Sequence, residues 1–421
     1  MHKIIFGNFV NQLMTEVPGP AHVAALTAPS PRKIWYANEG DMIVIPRAMD
    51  DFYKRYACRV IGIDPGRVEV LCPSGDLGSY LTARISDDDG ARKKLQAFRQ
   101  KFADAQADVF ALDQVTVDLF RDLAIPLYPY GGFPPARALT IVSRINTKSG
   151  FKEIAAQLDI RTVPGTTVVG LPKAQTYARE LFQKYGPLVM KIDRGSNGYG
   201  HVIIDREEDI DGIPQAIAKF SEQPDKYTIE KRMSFSSLPS IEHFIDNDGP
   251  SKTYDCSMRC VNNAWTGMIT PANDLPESVI GPMNRWGTDL SALLYREGYR
   301  GTVDIDCGVT SDGTIYATES NCRKTGGSYL HSLLTRLKGA DYARTTTWLA
   351  DSRVGRSELS FEEGIGALER AGISWSPVRG DGVILTADTR SIDRKWRYLI
   401  IGRSASHALE SESRLLAALD A

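Results

Sequence analysis

Between residues 303 and 323 the chain reads Val303-Asp304-Ile305-Asp306-Cys307-Gly308-Val309-Thr310-Ser311-Asp312-Gly313-Thr314-Ile315-Tyr316-Ala317-Thr318-Glu319-Ser320-Asn321-Cys322-Arg323. Asp-Gly between two alternating runs is a strong hairpin signal. With Asp312 and Gly313 as the central turn residues, Asp306 faces Glu319 and Asp304 faces Asn321. Side chains two apart share a face, so Asp304, Asp306, Glu319, Asn321 and Arg323 gather on one side. Like charges opposed across a strand pair repel. A hard cation between the acids removes that repulsion, and magnesium takes oxygen ligands of this kind, with phosphate and water completing its shell. The competing reading is a solvated acidic hairpin.

A second segment suits an anion. Lys191-Ile192-Asp193-Arg194-Gly195-Ser196-Asn197-Gly198-Tyr199-Gly200 places three glycines in six residues between two apolar strands. Glycine lets the backbone approach phosphate oxygens and turn amide hydrogens toward them. Lys191 ends the strand LVM beside that loop. Lys148 in INTKSGFKEI precedes a helix, where its charge opposes the helix dipole and favours an anionic partner. Glu230 in YTIEKRM sits among apolar strand residues and could accept hydrogen bonds from a nucleoside, while backbone near Met233 pairs with a base edge. A surface salt bridge is the plainer alternative for Glu230.

These residues need strands and helices to hold them. Residues 1–135 predict the strands KIIF, KIWYA, DMIVIP, CRVIGI and RVEVLCP, with helices over 91–107 and 114–123. That mixture predicts a layered α/β unit with a largely parallel sheet. PLYPYGGFPPARA (126–138) reads as a linker. Residues 136–335 predict helices near 150–158, 174–185 and 289–297. They also predict the strands PLVMKI, YTIEK, PSIEHFI, TYDCSMRCV, WTGMITP, GTVDIDCGV and TIYATESN. Residues 336–421 predict helical segments, the strands GVILTA and YLIIG, and a closing helix. No internal repeat is visible.

Composition narrows the function class. The 421 residues are 42% hydrophobic and 24% charged, with a net charge of −2, an ordinary globular balance. That balance gives no electrostatic case for nucleic acid or an anionic membrane as partner. The first apolar stretch is interrupted by Asn8, Asn11 and Gln12, against a secretory leader, and no run is long enough to span a bilayer. Six scattered cysteines then read as free thiols in a cytoplasm. No Gly-x-Gly-x-x-Gly or Gly-Lys-Ser/Thr phosphate loop occurs in the first stretch. His201 and His331 read as local hydrogen-bonding residues, and no Ser, His and acid run forms a hydrolase motif.

Taken in chain order, these pieces resemble the ATP-grasp superfamily of carboxylate–amine ligases across about 140–335. The resemblance matches a lysine before a helix (Lys148), and a lysine ending a strand before a small-residue loop (Lys191, then Gly195, Ser196, Asn197 and Gly198). It also matches an adenine hinge from Glu230 through Lys231 to Met233, and the metal ligands Asp306 and Glu319-x-Asn321, continued by Arg323. GDMIVIP, SMRC…WTGMITP, ESNCRKTGGSYLH and the tail GVILTAD…YLIIGRS…ALESE resemble the branch containing the peptide ligase of pheganomycin biosynthesis.

The resemblance implies an ATP-grasp fold of α/β and α+β parts, with an N-terminal Rossmann-like pre-ATP-grasp domain (1–135), a nucleotide- and metal-binding core (136–335) and a small substrate-associated C-terminal segment (336–421). It implies ATP and magnesium as cofactors, with manganese as an alternative ion. The implied reaction joins a carboxylic acid to an amine, amino acid or peptide through an acyl phosphate. A homodimer is the default assembly. D-alanine–D-alanine ligases carry an arginine two residues before the metal aspartate, where this chain has Asp304. Stabilising the intermediate then falls to Arg323, with Arg259 and Arg300 as further candidates. Thr325-Gly326-Gly327-Ser328 could offer backbone amides to the acid's carboxylate. Two other readings compete: a small-molecule kinase on the same scaffold, and a non-catalytic nucleotide-binding protein.

Overall fold

The computed structural model describes residues 1–14, 19–195, 200–218, 225–262, 264–272 and 275–420. Sixteen strands form three sheets among them.

The first sheet contains β1 (Lys3–Phe6), β2 (Met42–Val44), β3 (Glu69–Leu71) and β4 (Gln106–Val109), in the order β3-β2-β1-β4. All its pairs are parallel, as the mixture of strands and helices predicts. Two expected strands are not strands. KIWYA lies in the 3₁₀ helix Ser30–Tyr36, and CRVIGI ends the α-helix Asp51–Ile61. Asp50 caps that helix by accepting from the Tyr53 amide, and Gly62 closes it at φ 72°. Tyr53, Tyr56, Ala57 and Ile61 recur at helical spacing on its buried side, so cap and period outweigh the short apolar run.

The second sheet forms a small lobe. It contains β5 (Gly165–Val169), β6 (Leu188–Ile192), β7 (His201–Ile204) and β8 (Lys226–Lys231), in the antiparallel order β5-β8-β6-β7. Leu188, Met190, Ile192, Tyr227 and Ile229 are buried together with residues of the helix Leu171–Tyr185. Alternation puts Lys191 and Glu230 on the opposite face.

The third sheet has eight antiparallel strands. They are β9 (Pro239–Ile245), β10 (Pro250–Val261), β11 (Ala264–Thr270), β12 (Gly301–Val309), β13 (Ile315–Asn321), β14 (Thr347–Val354), β15 (Gly382–Asp388) and β16 (Lys395–Gly402). Their order is β13-β12-β9-β10-β11-β14-β16-β15. The C-terminal stretch thus extends the core's own sheet. β14 is absent from the sequence expectation because Asp351 and Arg353 interrupt its apolar run. The helix expected over 289–297 is the end of a longer one, Glu277–Arg296. Among the described residues no helix is long and apolar enough to cross a membrane, and all six cysteines are free.

The hairpin departs from the expected turn in an instructive way. Val309 pairs with Ile315 and Cys307 with Ala317, so the turn is centred on Asp312 rather than on the Asp312–Gly313 bond. The register then shifts, and Asp306 pairs with Glu319 and Asp304 with Asn321. Thr318 is the extra residue, and its hydroxyl donates to the Asp306 carbonyl at 3.1 Å. The bulge answers a conflict of parity. Ile315 and Ala317 pack in the core, and a regular strand would carry Glu319 and Asn321 to that same side. One inserted residue releases them to the other side.

Candidate active site

The small lobe brings three cations to one face. The helix Lys148–Gln157 begins at Thr147, whose hydroxyl accepts from the Gly150 amide. Lys148 and Lys152, one turn apart, therefore project from the same side. The Lys152 ammonium contacts Glu230 Oε1 at 2.7 Å and the Val163 carbonyl at 2.7 Å. The Lys191 ammonium contacts Glu230 Oε2 at 2.6 Å. Burial opposes ionisation of Glu230, but the two lysines prevail and hold its carboxyl below the usual range. Glu230 is thus clamped by two ammonium groups, as the salt-bridge alternative expects, although the pair is buried rather than on the surface. Lys152 is absent from the sequence reading, although its spacing from Lys148 is the available signal.

Lys231 and Met233 lie at and just beyond the end of β8, and the Lys231 amide donates to the Pro164 carbonyl at 2.9 Å. Gly195 follows β6, while Ser196, Asn197 and Gly198 lie outside the described residues. His201 pairs with Lys191 across β6 and β7. Burial and the charges of Lys191 and Lys148 lower it to about 4, so it is neutral at pH 7.

The large sheet supplies the acids. Asp304 on β12 pairs with Glu242 on β9. Asp306 and Glu319 face each other on β12 and β13. Asn321 donates through Nδ2 to Asp306 Oδ2 at 3.3 Å, and Arg323 donates to Asn321 Oδ1 at 2.6 Å. The Asn321 amide donates to Asp304 Oδ1 at 2.9 Å. Burial, with Glu319 next, raises the Asp306 carboxyl; burial, with Asp306 next, raises Asp304 further. Glu319 goes the other way. Burial opposes its charge, but the Lys148 ammonium bonded to Oε2 holds its carboxyl below the usual range. Four carboxylates on three adjacent strands are thus gathered with Lys148 and Arg323 beside them.

That imbalance tests the expected cation. An ammonium already rests on Glu319, and the neighbouring Asp306 is compensated only in part and favours its proton. Two carboxylates and an amide form an all-oxygen set that fits magnesium, which needs only one or two carboxylates beside phosphate and water. Among the described residues no group of three His, Cys, Asp or Glu side chains forms a preformed metal cage.

The other expected residues lie elsewhere. Arg259 on β10 contacts Glu412 at 2.7 Å and Asp351 at 3.2 Å, so it ties the closing helix to the sheet. Arg300 precedes β12 and donates to the Tyr295 and Tyr299 carbonyls. Its guanidinium stacks over the Tyr295 ring, 3.9 Å from the centroid, rather than among the acids. Both are corrections to the expected catalytic set. Arg323 alone of the three joins the acids. In the Thr325–Ser328 turn, the Thr325 amide is taken by Ser328 Oγ at 2.8 Å and the Gly327 amide by Thr325 Oγ1 at 3.1 Å, so two of the four amides are already occupied within the turn. The Thr325, Ser328 and Tyr254 hydroxyls converge on Glu242, a buried acid absent from the sequence reading. Burial raises Glu242 to about 7 against those hydrogen bonds. A side chain at Gly327 would strike the Tyr254 hydroxyl, so only glycine fits.

Two family models match parts of the chain: the Pre ATP-grasp domain at residues 30–125 and the PGM1 C-terminal domain at 365–415. A search of curated proteins found no match. Among solved structures, the biotin carboxylase of Campylobacter jejuni in complex with β-γ-ATP is 13% identical with a TM-score of 0.64, covering 99% of this chain and 91% of that one. The N5-carboxyaminoimidazole synthetase of Staphylococcus aureus is 14% identical with a TM-score of 0.58, covering 100% and 97%. The biotin carboxylase domain dimer of Hydrogenobacter thermophilus 2-oxoglutarate carboxylase, solved with MgADP and bicarbonate, is 11% identical with a TM-score of 0.62, covering 99% and 89%. The chain has a mixed α/β ATP-grasp fold with a Pre-ATP-grasp N-terminal domain and a small C-terminal domain.

Proposed function

We propose that this protein is an ATP-dependent ligase that joins a carboxylic acid to an amine, amino acid or peptide, with release of ADP and phosphate. The observation that carries the reading is the meeting of Lys148, beside the small lobe, with Glu319 of the acidic hairpin. It brings a lysine ammonium and the hairpin carboxylates to one place, as recognition of a metal–phosphate group requires.

In the first step a carboxylate oxygen of the acid attacks the γ-phosphorus and ADP leaves with the bridging oxygen. In the second the amine attacks the acyl carbon, phosphate leaves, and the amine gives up a proton. Lys148 and Lys191 offset α- and β-phosphate charge. Asp306, Glu319 and Asn321 would hold magnesium or manganese, which supplies charge neutralisation at the phosphoryl group when bound. Arg323 steadies the reacting carboxylate and then the oxyanion. Positioning and charge stabilisation of this kind account for most catalysis in phosphoryl transfer.

Within this class we place the chain in the branch of the pheganomycin peptide ligase, with a natural-product biosynthetic role, on the sequence resemblance of GDMIVIP, ESNCRKTGGSYLH and the tail. Free cysteines throughout suit a reducing cytoplasm, and a homodimer is the proposed assembly. The test is ADP release with hydroxylamine as the amine, across a panel of amino acids, guanidino acids and short peptides as acids. ADP together with a hydroxamate is the expected result. AMP with pyrophosphate would replace this reading by adenylation, and a stable phosphorylated product without any amine would replace it by a kinase.

A further inference from the structure

The cavity that contains Asp306 and Glu319 has a volume of about 330 Å³ and continues past them to the C-terminal strands. From β12 to β16 there are five strand steps, or about 24 Å at the usual strand spacing. Its middle is apolar: Cys256 and Met258 on β10, Met268 on β11 and Ala350 on β14 line it. Its far end is cationic, lined by Arg32, Lys395 and Arg397.

The charges at that end do not balance. Both acids there are already taken up. Asp351 contacts Arg259 and Arg353, and Asp393 contacts Arg397 at 2.5 Å. The Arg32 guanidinium has no ion pair or hydrogen bond among the described residues. It lies over the Tyr329 ring, 4.9 Å from the centroid, and its charged neighbour is Arg397, of like sign. A guanidinium held against a ring keeps its N–H fork free for a planar oxyanion. An anion placed there also relieves the repulsion between the two arginines.

We propose that this end of the cavity is a carboxylate subsite built on Arg32, and that the amine substrate is a peptide of about seven residues with apolar side chains, the length that spans about 24 Å when extended. Its amino group points toward Arg323 and the hairpin acids, and its own carboxylate seats on Arg32 with Lys395 beside it. This assignment rests on the ligase reading above. The N-terminal domain thereby contributes directly to substrate choice, through a residue on the 3₁₀ helix that follows the helix Pro20–Thr27.

The experiment measures binding by calorimetry, so it does not depend on turnover. Two seven-residue peptides, one of alanine and leucine and one of alanine and phenylalanine, are titrated into the full chain, each as the free acid and as the C-terminal carboxamide. The free acids are expected to bind at least tenfold more tightly than the amides. Arg32→Met is expected to abolish that preference, and Arg32→Lys to retain part of it. Lys395→Met reads the same preference from a second lining residue and is expected to reduce it at least threefold, which keeps the test open if Arg32→Met does not fold. Equal binding of acids and amides to the unaltered protein, or an unchanged preference in Arg32→Met, would overturn the subsite. Failure of the ligase reading is a separate result, the absence of ADP and hydroxamate in the hydroxylamine assay.

Discussion

The Lys148 ammonium is bonded to the Glu319 carboxylate across 171 residues of sequence. One partner starts a helix that packs beside the small lobe, and the other lies on an edge strand of the large sheet. On the proposed function this pair must part, because the lysine turns to phosphate and the acid to a cation. Glu319→Gln removes a metal oxygen with little change in volume. It is expected to leave the far-ultraviolet circular dichroism spectrum unchanged and to lower acid-dependent ADP release at least a hundredfold, about 3 kcal/mol of transition-state stabilisation. Turnover within a few-fold of the parent protein would refute the metal role.

Glu230 presents the reverse situation, a buried acid that neutralises two lysines. Glu230→Gln leaves Lys152 and Lys191 buried without their counterion. Breaking a buried pair by removing one partner typically costs about 3–5 kcal/mol. Urea unfolding should show a loss near the lower end of that range, since both lysines retain some access to water. A loss below about 1 kcal/mol would mean that the carboxylate contributes little to holding the lobe.

Arg259 gives a test that separates structure from chemistry. It bonds Glu412 of the closing helix and approaches Asp351, and no part of the proposed reaction uses it. Arg259→Met should lower the melting temperature, while ADP release per folded molecule stays within about twofold. A selective fall in turnover at unchanged stability would return Arg259 to the catalytic set.

His243 sets a pH dependence with a definite sign. It is buried on β9, and burial followed by the charge of Lys252 lowers it to about 4. The unfolded chain therefore binds a proton between the ordinary histidine value and about 4 that the folded chain refuses. This contribution to stability is complete above the ordinary value and is lost as pH falls toward about 4. Compared with His243→Gln, the parent protein should lose about 2 kcal/mol on going from about pH 8 to about pH 5. Parallel stability curves for the two proteins would contradict the buried, neutral imidazole.

The acidic hairpin is legible in the sequence because strand alternation and the Asp-Gly turn act locally. Even so, the right facing of Asp306 and Glu319 follows from the wrong turn: the loop is one residue longer, and the Thr318 bulge restores the register. Lys148 and Lys191 are legible from spacing beside helix and loop. Glu242 and Arg32 are not, because what distinguishes them is the company they keep in space. Glu242 is defined by hydroxyls more than eighty residues away, and Arg32 by a tyrosine nearly three hundred residues away. Residues 58–63 mislead for the opposite reason, since a short apolar run fits a strand or one face of a helix equally well.

The continuity of the large sheet constrains how this molecule can breathe. Its hydrogen-bonded ladder runs unbroken from the hairpin acids to β15, so the floor of the reaction chamber and its distant wall travel as one plate. On the proposed function, admission of a nucleotide and expulsion of spent products then fall to the separate four-stranded lobe, while the tail serves as fixed masonry rather than a door.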